Sequence, residues 1–209
     1  MRESVWIETI FYIGAGYLSG SILFAPVAAR LFGKDEMIEN SEDKNPGAFN
    51  AFHYGGFLCG LVALIGDILK GFIPVFLYFQ DNFGMIWLPA ALVLAAPVLG
   101  HAFPVFAHFQ GGKGIAVSFG CLLGLIPFWT PALVLAGVFL FFSLILKISP
   151  HFYRTALTFP TSLVLMTILM GWNNSITLGF LLITGIVCLR LHLSPEEREP
   201  MMVKLLWIS

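Results

Sequence analysis

The chain has 209 residues, 58% of them hydrophobic and only 11% charged, with a net charge of −1. An ordinary water-soluble domain carries about a quarter charged residues, so that class is excluded. A nucleic-acid partner is not expected either, because no basic excess is present.

The apolar runs between the sparse charges reach spanning length, so the expected fold is an all-α polytopic membrane protein with the bilayer as its solvent. Seven transmembrane helices are predicted, some kinked or short, within one domain over 1–209. Thr9 to Ala29 is the first span, stopped by Arg30, and it holds Gly16 and Gly20 at a spacing that lets helices pack closely in lipid. Glu3 and Glu8 sit where a signal peptide has its positive region, so no cleavable leader is expected. Leu31 to Tyr54 is a long polar loop in which Asn45-Pro46-Gly47 marks a tight turn. Gly55 to Phe79 is the second span and Met85 to Phe109 the third, with Pro97 and Pro104 on either side of His101. Ile115 to Ile126 is a short fourth span ended by Pro127. Pro131 to Leu146 and Ala156 to Met170 follow, separated by a polar patch with His151 and Arg154. Ile176 to Leu189 is the seventh. The tail holds Ser194-Pro195-Glu196-Glu197, which reads as the start of an amphipathic surface helix.

Nine Lys and Arg fall in loops one, three, five and the tail, namely Arg30, Lys34, Lys44, Lys113, Lys147, Arg154, Arg190, Arg198 and Lys204. On the other side only Arg2 lies outside the spans. The positive-inside rule then predicts the N-terminus outside and the C-terminus in the cytoplasm. Cys59, Cys121 and Cys188 lie in apolar runs at no metal-ligand spacing, so they read as small buried residues, with no disulfide framework. No metal is expected.

Two places carry chemistry. Asp67 and Lys70 stand three apart in the second span, where each alone costs about 2.5–3.5 kcal/mol at the bilayer centre. An i,i+3 ion pair lowers that cost. They either help position a charged ligand or form a structural pair bonded to backbone. His101 reads as a satisfied core histidine. The second place is Gly111-Gly112-Lys113-Gly114, between two apolar runs. Three glycines let the backbone approach a ligand closely. The following helix puts Lys113 near an N-terminus, where N–H groups and the dipole favour an anion such as phosphate. The plain alternative is a short loop whose lysine sits on the cytoplasmic side. His53 and His192 fall near the cytoplasmic ends of spans two and seven.

Gly100-His-x-Phe-Pro-Val-Phe106, continued through Phe109 into the glycine–lysine loop, resembles the second motif of the bacterial acyl-phosphate-dependent glycerol-3-phosphate acyltransferases. Asp67-Ile-Leu-Lys-Gly71 is similar to that family's second helix, and Gly20-Ser21-Ile22 with Phe24-Ala25 to its first. The resemblance covers most of residues 15 to 125. It implies a seven-helix enzyme of the inner bacterial membrane with its active-site loops in the cytoplasm. It also implies transfer of an acyl chain from acyl phosphate to glycerol 3-phosphate, giving lysophosphatidic acid for phospholipid synthesis. No cofactor is implied, and a monomer is expected.

The family's first motif usually reads Ser-Gly-Asn-x-Gly-Ala-Thr-Asn. Here Asp43 replaces the serine, Phe49 the threonine, and His53 falls where an arginine is common. The third motif is half met, since His192 is followed by Pro195. Carried over onto matching positions, Lys113, His192 and Asn45 are the expected catalytic set. Gly111, Gly112, Gly114, Asp43, Gly47, Asn50 and His53 are expected to bind phosphate or substrate. Asp67, Lys70 and His101 support them from behind. Lys113 and its glycines lead to the expectation that the second motif holds the donor phosphate, so that the changes at Asp43 and Phe49 fall on the acceptor side. Two other functions fit the residues: a non-catalytic membrane homologue that binds phosphorylated metabolites, or a small transporter of anionic metabolites. The short match of Pro74-Val-Phe with Pro104-Val-Phe is the transporter's support.

Overall fold

A computed structural model describes residues 2–41, 43–82, 87–194 and 199–205. Nine α-helices stand among them. In chain order they are α1 (Arg2–Gly20), α2 (Phe24–Leu31), α3 (Ala48–Gly55), α4 (Phe57–Asn82), α5 (Trp87–Ala102), α6 (Ile115–Leu123), α7 (Thr130–Leu140), α8 (His151–Met170) and α9 (Ser175–His192). The strands β1 (Leu146–Ser149) and β2 (Met202–Leu205) pair antiparallel, with Lys147 opposite Lys204.

Each of the seven predicted apolar segments carries a helix among its described residues, but not all are long enough to cross a bilayer. Four described helices pass by length and composition, or five if the bent pair α1 and α2 counts as one span. The nine residues of α6 reach about 14 Å, against about 30 Å of hydrocarbon. The run Thr130–Ile145, where α7 continues into a π-helical turn, is also shorter than a full span.

The first predicted span is corrected: it is two helices, bent by 41°. Pro26 explains the break. It has no N–H to offer the Ile22 carbonyl four residues back, and Lys70 Nζ supplies that donor from α4 at 2.6 Å. The favour is returned one turn away. Pro74 within α4 leaves the Lys70 carbonyl unserved in the same way, and Ser19 Oγ donates to it at 3.0 Å.

Two further expectations change. The first loop is not irregular throughout, because α3 folds directly behind the Asn45-Pro46-Gly47 turn and packs on α4. Among the described tail residues, Met202–Leu205 form a strand where an amphipathic helix is expected. The helix start read at 194–197 falls largely on residues outside the described ones. Strand β2 is held by β1, a partner that only the fold brings near.

Helix α5 is the centre of the bundle, packed against α1, α4, α6 and α9. Small residues make the approaches close, as the spacing of Gly16 and Gly20 predicts. Gly16 meets the Pro97 ring, and a Cβ at Gly20 would run into the Pro97 backbone. On the other side Gly71 of α4 lies against the Val117 carbonyl of α6. Along α4, Ile65, Leu69, Ile73 and Leu77 form an exposed apolar stripe, while Asp67, Lys70, Val75 and Tyr78 are buried.

Candidate functional site

The glycine–lysine loop lies where α5 has ended and α6 has not begun. Gly114 caps α6 with φ +82°, a left-handed conformation that favours glycine. Lys113 therefore stands two residues before the first helical N–H groups of α6, as expected. Its side chain is nearly buried, at 9% exposed. Two anchors hold the loop. The Gly112 N–H donates to the His101 carbonyl at 3.1 Å, and the Arg190 guanidinium grips the Gly111 carbonyl through Nε at 3.0 Å and Nη2 at 2.6 Å. A Cβ at Gly112 would strike the His101 ring, so this position needs glycine for close approach.

The polar loop before α3 comes to the same spot. Lys113 Nζ pairs with Asp43 Oδ2 at 2.9 Å, and the Lys113 N–H donates to Asn45 Oδ1 at 3.2 Å. Asp43 is held in turn from inside its own loop. Its other oxygen, Oδ1, accepts from Asn50 Nδ2 at 2.6 Å and from the Asn45 N–H at 3.2 Å. The second N–H of the Asn50 amide goes to the Asn45 carbonyl at 2.9 Å. Both N–H groups of the Asn50 amide therefore build the loop. Burial works to raise the Asp43 carboxyl, but the Lys113 ammonium, the Asn50 amide and the Asn45 N–H outweigh it and hold it below its ordinary value.

Behind this pair sits the intramembrane cluster. Lys70 Nζ donates to the Ile22 carbonyl and to His101 Nδ1 at 2.8 Å, and it forms an ion pair with Asp67 at 2.7 Å. With the ammonium donating, Nδ1 accepts and the imidazole proton lies on Nε2. Asp67 also accepts from the Phe24 N–H at the start of α2. Asp67, Lys70 and His101 are all buried. Asp67 Oδ1 has the Lys70 ammonium as its ion-pair partner but no hydrogen bond among the described residues, and the cluster meets the loop at His101.

Asp43 and Asn45 of the first motif thus meet Lys113 of the second in one site. Gly47 is buried at the start of α3. His53 is exposed on α3, its ring parallel to Phe49 with centroids 6.2 Å apart. His192 is exposed at the last turn of α9, two residues after Arg190. Three residues without an assigned site role also border the site. They are Arg190, His151, whose ring lies 4.2 Å from Phe49 and within electrostatic reach of both Lys113 and Asp43, and Arg154, which bonds His151. No group of three His, Cys, Asp or Glu able to hold a metal occurs among the described residues.

Residues 10–197 match the family model described as glycerol-3-phosphate acyltransferase. A relative of that name from Herminiimonas arsenicoxydans is 36% identical over 194 residues, covering 86% of this chain and 94% of its own. One from Serratia proteamaculans is 34% identical over 172 residues, covering 77% and 80%. Relatives from Legionella pneumophila are 42% identical over 114 residues, and the matching stretch spans only 40% of their length. The crystal structure of PlsY, an integral membrane glycerol 3-phosphate acyltransferase, is similar in its glycerol 3-phosphate form, with a TM-score of 0.74 and 28% identity over 88% of both chains. Its lysophosphatidic acid form gives 0.72 over 87% of both.

Proposed function

The chain belongs to the glycerol-3-phosphate acyltransferase family, and from that premise we propose that it transfers a fatty acyl chain from acyl phosphate to glycerol 3-phosphate. The product is lysophosphatidic acid, for phospholipid synthesis. One observation carries the reading: a nearly buried lysine, in a glycine loop at the start of α6, held by a carboxylate that a phosphate can replace.

In the reaction the acceptor hydroxyl oxygen attacks the acyl carbonyl. An ester C–O bond forms, the acyl–phosphate C–O bond breaks, and the leaving phosphate takes the hydroxyl proton. An acyl phosphate is already activated, so the protein must mainly hold two phosphorylated molecules in line and steady developing negative charge. Lys113 and the loop N–H groups supply the charge. Asn45 and Gly47 set the loop that meets it, and His192 orients the acceptor. Arg190, His101, Asp67 and Lys70 keep the loop in place. The protein works as a monomer in the inner membrane, crossing it seven times, with its N-terminus outside and this site in the cytoplasm.

The test is a transfer assay on purified protein with acyl phosphate and labelled glycerol 3-phosphate, and acyl-CoA as a rival donor. Lysophosphatidic acid should form from acyl phosphate in preference to acyl-CoA. Lys113→Ala should lose at least about a hundredfold of the rate, the usual effect of removing one charge-stabilising donor. No product from either donor, or an undiminished rate in Lys113→Ala, overturns the proposal.

A further inference from the structure

The two oxygens of Asp43 do different work. Oδ1 is fixed by two donors, the Asn50 amide and the Asn45 N–H, both belonging to its own loop. Oδ2 has the Lys113 ammonium. The first set does not involve Lys113, so it stays when a ligand takes the ammonium. Asp43 then remains in place with one oxygen released, its side chain 17% exposed and therefore within reach.

A phosphate that takes Lys113 creates an electrostatic problem. The released Oδ2 faces a second anion in a half-buried site, where like charges repel more than in water. A ligand that brings only a phosphate leaves that repulsion standing. A ligand that also brings a hydroxyl, a few atoms from its phosphate, supplies Oδ2 with a new donor. Hydrogen bonds to charged groups are among the stronger ones.

We infer that Asp43 is a specificity-determining residue: it holds the Lys113 seat until a phosphate arrives, then accepts a hydrogen bond from a hydroxyl of the same ligand, so that the site selects phosphorylated polyols over plain phosphate esters. This rests on the acyltransferase reading and names the acceptor side of that site. Two neighbouring cations are held elsewhere: Lys70 by Asp67, the Ile22 carbonyl and His101, and Arg190 by the Gly111 carbonyl.

The experiment measures binding of three probes to the full-length protein in detergent: inorganic phosphate, propyl phosphate and glycerol 3-phosphate. Propyl phosphate has the ester and the chain length but no hydroxyl. The wild type should bind glycerol 3-phosphate at least about tenfold more tightly than propyl phosphate, the scale of one hydrogen bond to a charged group. In Asp43→Ala the gap should close to about twofold, mostly because propyl phosphate binds better once its competitor is gone. Asp43→Asn keeps an acceptor without the charge and should retain part of the preference, which separates loss of the group from loss of the fold. Equal binding of the two esters by the wild type overturns the inference, and so does an unchanged gap in Asp43→Ala. If both esters bind equally and Lys113→Ala removes them, the phosphate site stands and only the role of Asp43 falls. If no probe binds the wild type, both fall.

Discussion

Asp43 and Lys113 lie 70 positions apart and meet at 2.9 Å. Their pairing has a definite pH signature. The folded-state carboxyl of Asp43 is held below its ordinary value, so folding favours the charged form. Stability from this group is fully present above the unfolded carboxyl range and is lost as pH falls through the lower folded value. Thermal melting of the wild type and Asp43→Asn, in detergent from pH 7 to pH 3, should therefore show a difference that shrinks on acidification. A difference that grows toward low pH would mean that Asp43 is not held charged by its partners. Lys113 was legible in the sequence because three glycines around one lysine form a local pattern with a physical meaning. Its partner was not, since nothing local ties residue 43 to residue 113. Arg190 was invisible for another reason: it binds a backbone carbonyl, which leaves no mark on the identity of residue 111.

At the scale of helices, Lys70 connects three elements, binding Asp67 on its own helix, the Ile22 carbonyl at the α1–α2 break, and His101 on α5. Removing Asp67 alone leaves a buried ammonium short of its counter-charge. Removing Lys70 alone leaves a buried carboxylate and two unserved acceptors. Breaking such a pair typically costs about 3–5 kcal/mol, whereas removing both charges costs less than the sum. Asp67→Ala and Lys70→Ala should each melt well below the double variant, with Lys70→Ala the worse because it also strips the Ile22 carbonyl. Additive losses in the cycle would show that the two residues are not partners. The pair could be read from the sequence because i,i+3 spacing puts both charges on one helical face. The break could not, because Pro26 sits inside an apolar run that looks continuous by hydropathy. Likewise β2 takes its shape from pairing with β1, 59 positions earlier at the paired ends Leu146 and Leu205, and isolated strands of four residues carry little signal of their own.

Across the whole molecule, the number of crossings turns on α6 and α7. Lysine and arginine counts predict that loops one, three and five share one side, and that expectation is the same whether α6 and α7 each cross or dip in and return together. Both paths bring Lys113 and Lys147 to the same face, so the asymmetry of charge cannot distinguish them. The short length of α6 favours a dip. The exposed Phe128 and Trp129 between the two helices favour a crossing, because aromatic residues gather where a span meets the interface. Packing is neutral, since Gly120 lies against the α4 backbone in either case. Single cysteines at three exposed positions, in a background lacking Cys59, Cys121 and Cys188, decide the matter. In intact cells an impermeant thiol reagent should label Asn173→Cys and Thr130→Cys, and should reach Asn40→Cys only after permeabilisation. If Asn173→Cys labels from outside and Thr130→Cys from neither side, α6 and α7 form a re-entrant hairpin and the chain crosses five times. If Asn40→Cys labels in intact cells, the orientation itself is reversed and Lys113 does not face the cytoplasm.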